Sequence, residues 1–313
     1  MSGRIPRTAL AACAAAAVAS SCAYSSHAVR PSDLGQPISS KVMEAALDLP
    51  GPVTLETIVS ADWVVPLAGL LNLGHPKAKA AGLRDRDEPM QIYLHALRHP
   101  TRGLWVVDTG VAKVFKDHPS DLGIGWLVAR ELHLEKMTTR TALGPWLAAQ
   151  KEPLAGVMLT HLHIDHISGM PDVPRGTPTY AGPGETTPRA ATHLVLAGSI
   201  DALLAGHGPL RQWSFGPDPD GAFDGIVDVF GDGSVFAIFV PGHTPGSTAY
   251  AVRTPKGPVL LVGDNCHTRW GWDNGVEPGH YTGDQPLNAQ SLGRLRALAA
   301  RHPAMVVRLG HQD

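Results

Sequence analysis

Cysteine is nearly absent from this chain: of its three, Cys13 and Cys22 stand at the N-terminus and only Cys266 belongs to the body that follows. A folded region with one thiol has no internal disulfide open to it, so packing and any bound ions must supply its stability. Charge of one sign is lacking too. Lys and Arg number 26 against 28 Asp and Glu, a formal net charge of −2, which offers no basic face to neutralise phosphates. A nucleic-acid partner is therefore not expected, and a small-molecule substrate is. Beyond the N-terminus no stretch approaches the roughly 18 consecutive apolar residues of a membrane-spanning helix. Tyrosine is scarce as well, at five, whereas histidine numbers sixteen.

The chain is 43% hydrophobic and 17% charged over 313 residues, enough apolar material for a large core and no sign of disorder. At the N-terminus, Arg4 and Arg7 precede an alanine-rich run from Thr8 to Ala19 that is too short to span a bilayer. That pattern is expected of an export signal, with Cys22 as a candidate lipid-anchored first residue. The expected organisation is an export signal over 1–22, a Ser-, Pro- and Gly-containing linker over 23–50, and one domain over 51–313. Location in the periplasm or outside the cell, with or without a lipid anchor, follows from it.

Within the domain, short apolar runs alternate with helical spacing. Strands are expected at 91–97 and 104–107, joined by a turn, and at 155–160, 226–230, 235–240, 248–252, 259–262 and 305–309. Helices are expected at 143–150 and 288–301. Such repetition of strand runs and helices suggests an α/β sandwich, two packed sheets covered by helices. Residues 60–90 and 110–140 lack a clear period and are candidate substrate-covering loops.

His161 and His163 stand at i and i+2 after the buried strand pattern at 155–160, and extended backbone turns both imidazoles to one side. Asp165 and His166 follow at once and, if the chain turns into a helix there, project toward a second position. One segment, Thr160-His161-Leu162-His163-Ile164-Asp165-His166, can thus serve two ions. Imidazoles with few carboxylates suit Zn²⁺. His75, His95, His99, His118, His133, His193, His207, His280 and His302 lack such context and are read as structural or surface residues.

The segment resembles the His-x-His-x-Asp-His signature of the metallo-β-lactamase superfamily, and the resemblance extends over about residues 90–313. It implies the αββα sandwich of that family, two mixed sheets packed together with helices on both outer faces. It also implies a downstream histidine, aspartate and histidine, each after a strand; Pro241-Gly242-His243, Gly263-Asp264 and Gly310-His311 supply them. By analogy His161, His163 and His243 would hold one zinc, Asp165, His166 and His311 the other, and Asp264 would bridge the two. Asp165 is counted among the catalytic residues as well as the ligands. Asp108, at another strand end, matches an aspartate that supports the site without binding metal.

The resemblance further implies a hydroxide shared by the two ions that attacks an ester or lactone carbonyl. Asp264 separates the chain from true β-lactamases, which resemble it but carry cysteine or serine near that place. The ligand set is similar to that of lactonase-like and aryl-ester hydrolases, with phosphotriester hydrolysis, β-lactam hydrolysis and iron-dependent persulfide oxidation as alternatives. Where those lactonases have a tyrosine three residues after the bridging aspartate, this chain has His267, which is expected to hydrogen-bond the substrate carbonyl or oxyanion.

Export is open to direct measurement. Mass spectrometry of the mature protein from its native host is expected to find a new N-terminus near Cys22, diacylated if the anchor is used. Recovery of an intact Met1 end would rule the export signal out.

Overall fold

In the computed structural model, residues 25–186 and 194–312 are described. The expected export signal, with Cys13 and Cys22, lies outside them, as does His193.

Fourteen strands among these residues build two mixed sheets. They are β1 (Val29–Pro31), β2 (Gln36–Pro37), β3 (Thr54–Pro66), β4 (Asp87–His99), β5 (Gly103–Val107), β6 (Thr138–Thr139), β7 (Leu154–Met158), β8 (Thr179–Ala181), β9 (Leu210–Gln212), β10 (Ile226–Asp228), β11 (Val235–Phe239), β12 (Thr248–Thr254), β13 (Gly257–Leu261) and β14 (Val306–Arg308). The first sheet runs β1-β9-β8-β7-β5-β4-β3-β6 and the second β14-β13-β12-β11-β10-β2. β5, β7, β8 and β9 are parallel neighbours, while β3, β4 and β5 form an antiparallel meander.

The apolar strand runs arise because both faces of each sheet are covered. Along β5, Val106 enters the core under the helices and Val107 the core between the sheets. In β11, Phe236 and Ile238 face the outer helices while Ala237 faces the opposite sheet. The layer between the sheets joins Leu97, Trp105 and Met158 to Val227, Tyr250 and Leu261. Outside the first sheet, Phe115, Leu143, Ile167 and Leu203 close the core; outside the second, Met43, Leu47, Leu292, Leu295 and Leu298 do so. This is the αββα sandwich expected from the sequence.

Two expectations change. Residues 23–50, read as linker, contain β1, β2 and the helix Ser40–Leu47. β1 pairs with β9 at the edge of the first sheet and β2 with β10 at the edge of the second; strands this short leave no period to read. Residues 60–90 are partly sheet: β3 pairs with β4 along most of its length, with a shift in register between Val59 and Ala61 that breaks its alternation. Residues 110–140 pack Phe115, Leu122, Ile124, Leu134 and Met137 onto the first sheet's outer core, although Trp126 is 71% exposed. No helix among the described residues is long and apolar enough to cross a membrane.

Candidate metal centre

The residues singled out by the motif come from the C-terminal ends of strands in both sheets. Asp108 follows β5, Thr160 and His161 follow β7, His243 follows β11, Asp264 follows β13 and His311 follows β14. His163 caps the short helix Ile164–Ile167, which carries Asp165 and His166, so the expected turn into helix is present.

These side chains form two groups that share Asp264: His161, His163, His243 and Asp264, and Asp165, His166, Asp264 and His311. Four ligands placed about 2.1 Å from a zinc ion at tetrahedral corners stand about 3.4 Å from one another. In the first group His243 Nε2 is 2.8 Å from His163 Nδ1 and 3.4 Å from Asp264 Oδ2, and His161 Nε2 is 3.7 Å from that oxygen. In the second, Asp165 Oδ2 lies 3.2 Å from His311 Nε2 and 3.6 Å from His166 Nε2, which is 3.3 Å from Asp264 Oδ1. The spacing matches a coordination shell. The unsatisfied atoms match it too: His161 Nε2, His166 Nε2 and Asp264 Oδ1 are buried without a hydrogen-bond partner, a costly condition that coordination relieves.

Acceptor-only partners fix which ring nitrogen faces the cleft. His166 Nδ1 is 2.7 Å from Asp108 Oδ2, and His311 Nδ1 is 2.9 Å from the Gln91 carbonyl. Each must donate there, so Nε2 is the nitrogen turned inward. The Thr160 hydroxyl donates to Asp108 and accepts from His161 Nδ1, 3.0 Å away. His243 Nδ1 stands 3.0 Å from Thr282 Oγ1. Asp108 sits at φ +56°, a left-handed conformation unusual for a residue other than glycine; the Thr160 backbone N–H, 2.8 Å from its Oδ1, helps hold it there. At Gly310 a side chain is excluded, since a Cβ would fall 2.2 Å from Asp264 Oδ1.

Electrostatics divides the imidazoles. Burial pushes His161 and His163 well below the ordinary range, helped by neighbouring rings, and His243 down to about 4. Burial would lower His166 and His311 as well, but Asp264 overrules it, raising His166 well above its usual value and His311 to about 10. Burial works to raise Asp165 and Asp264, yet the imidazoles facing them hold both below the carboxylate range. The cleft thus calls for positive charge, which protons or divalent cations can supply. The donor set fits a metal.

His267 is within the cluster, with both ring nitrogens engaged by the protein. Its Nδ1 is 3.1 Å from the Leu70 carbonyl and must carry the ring hydrogen, while Nε2 lies 3.0 Å from Asp264 Oδ2. Nε2 is therefore the nitrogen turned toward the cleft, against Asp264 rather than an open substrate position. It ties Asp264 to the strap Leu67–Leu71, which is itself stitched to the loop 277–280 through Gly279 N to Gly69 O and Asn72 N to Glu277 O. Among the histidines set aside, His99 pairs with Asp232 and His302 with Glu44 and Asp48, whereas His95, bonded to Thr57, lines a small cavity shared with Asp108, His166 and His311. Sequence reasoning passed over Thr160, Thr282 and Glu185. Only Thr160, adjoining the motif, had a signal.

Residues 97–311 match the family model described as the metallo-beta-lactamase superfamily. The chain is 31% identical over 169 residues to the N-acyl homoserine lactonase AttM of Agrobacterium fabrum, covering 50% of this chain and 57% of that one. It therefore spans little more than half the length of the curated relatives it matches. Among solved structures, a mutant of AiiA from B. thuringiensis with N-decanoyl-L-homoserine at its active site aligns with a TM-score of 0.59 and 16% identity, covering 84% of this chain and 94% of that one. The dizinc quorum-quenching lactonase AidC aligns with a TM-score of 0.54 and 15% identity, covering 89% and 90%. At such identities the two structures show a shared fold.

Asp108→Asn replaces an acceptor by a group that can donate toward His166. Chelator competition is expected to show metal affinity lowered by about 10- to 100-fold in a chain that still folds. Unchanged affinity would refute the orienting role given to Asp108.

Proposed function

The chain belongs to the metallo-β-lactamase superfamily, and on that premise we propose that it is a dinuclear zinc hydrolase of lactone and ester bonds, with N-acyl homoserine lactones as the substrate class to test first. The observation that carries the reading is the pair of ligand groups sharing Asp264 at coordination spacing. When bound, zinc at such a pair supplies Lewis acidity that activates water and polarises a carbonyl oxygen. His161, His163 and His243 would hold one ion and Asp165, His166 and His311 the other, with Asp264 reaching both. The chain's own part is to present these donors already oriented: Asp108, Thr160 and the Gln91 carbonyl fix ring tautomers and Thr282 holds the His243 ring before any ligand arrives. Asp165, whose carboxylate the facing imidazoles hold below the ordinary range, would serve as the acceptor for a proton from an attacking water. The lactonase relatives support the choice of bond.

Elemental analysis of the purified protein is expected to give two zinc ions per chain, and chelation to abolish opening of N-acyl homoserine lactones in a panel with aryl esters, phosphotriesters and β-lactams. An active preparation without transition metal would overturn the reading; turnover of phosphotriesters alone would move the substrate class.

His267→Ala tests the tie to Asp264. It is expected to weaken zinc retention by about 10- to 100-fold along with turnover. Wild-type zinc affinity with a lowered kcat would instead return the ring to substrate contact.

A further inference from the structure

Glu185 lies outside both ligand groups and is 1% exposed. Its carboxylate accepts three hydrogen bonds from two separate loops: Oε2 from the Leu162 backbone N–H at 2.8 Å, and Oε1 from the Thr244 hydroxyl and from the Gly246 N–H at 2.8 Å. Leu162 stands between His161 and His163 in sequence, and Thr244 directly follows His243. One side chain therefore grips the backbone beside all three imidazoles of the first group. It makes no hydrogen bond to Asp165, His166 or His311: His166 is held by Asp108, His311 by the Gln91 carbonyl, and Asp165 faces His311.

A buried carboxylate is an expensive tie: burial pushes it up, the hydrogen bonds from Thr244, Leu162 and Gly246 pull it back, and the balance stands at about 7. Loop packing by itself would be served by an apolar side chain. What a carboxylate adds is chemistry that neither an amide nor an alkyl group has: two oxygens that only accept, facing donors on both sides at once. The turn is shaped to admit it, for a Cβ on Gly246 would lie 2.7 Å from Glu185 Cγ. The Thr244 hydroxyl is held in turn by Ser247 Oγ, 2.8 Å away.

We propose that Glu185 is a positioning residue that sets the distance between the His161–His163 segment and the His243 turn, and so tunes the first metal position without touching the second. The inference rests on the two-ion reading of the site. An amide in place of the carboxylate must turn its NH₂ toward either Leu162 N–H or Gly246 N–H, and the opposed hydrogens push one loop away.

The test uses the full chain, with zinc titrated against a competing chelator and cobalt substituted for absorption spectra. His243→Ala and His311→Ala identify which spectral bands belong to which position. Glu185→Gln is expected to lose affinity at the first position by about 10- to 100-fold, with its cobalt bands shifted and the second position unchanged. Thr244→Val, which removes one donor and leaves the carboxylate in place, is expected to change the same bands in the same direction by less, and decides the matter if Glu185→Gln does not fold. Equal weakening at both positions, or wild-type affinities and spectra in Thr244→Val and a folded Glu185→Gln, overturns the role. The two-ion reading fails separately, if the unaltered protein binds a single ion; Glu185→Gln must then still weaken that ion if it lies at His161, His163 and His243.

Discussion

The buried charge of Asp264 is the constraint around which the rest is arranged. Its carboxylate is 4% exposed as a residue and lies within 3.7 Å of imidazole nitrogens from His161, His166, His243, His267 and His311. A carboxylate removed from water is tolerated only where positive charge or strong donors surround it. The strands that end beside it come from both sheets, so the sandwich has to close correctly for that charge to be compensated. Site and core are in this sense one problem, because the layer between the sheets sets where the strand ends meet.

Around this centre the supports are polar and local. Carbonyls of Leu70 and Gln91, the carboxylates of Asp108 and Glu185, and the hydroxyls of Thr160 and Thr282 each fix one ring or one loop. Second partners of this type decide the orientation of metal-binding histidines in general. The left-handed Asp108 shows that local backbone preference gives way where a support is needed.

Much of this was legible in the sequence, for identifiable reasons. The segment 160–166 is contiguous, and its i, i+2 spacing after an apolar run carries its own geometry. His243 and Asp264 each follow a strand with an apolar run, and His311 follows the apolar residues around 305–309 although β14 itself is only three residues long. Glu185 and Thr282 were invisible because they act through hydrogen bonds between irregular loops, which have no period. His267 could be placed near the metal but its role could not be read, since the tautomer depends on the Leu70 carbonyl, from a segment whose position only the fold reveals. β1 and β2 escaped because two or three residues, one of them proline in each strand, give neither alternation nor propensity to detect.

Those two strands also bear on the order of assembly. β1 aligns Val29 with Leu210 and β2 aligns Gln36 with Asp228, so a short stretch near the start of the chain seals an edge of each sheet. Pairings so distant in sequence form late, after the loop between them has been closed by nearer contacts. A chain made from its N-terminus holds its clasp in hand for most of synthesis with nothing to fasten. Until β1 and β2 pair with them, β9 and β10 each have an open side, the kind of exposed strand edge that recruits neighbouring chains. Fastening last, the clasp makes the completed sandwich also the first form of the protein in which both of these edges are covered.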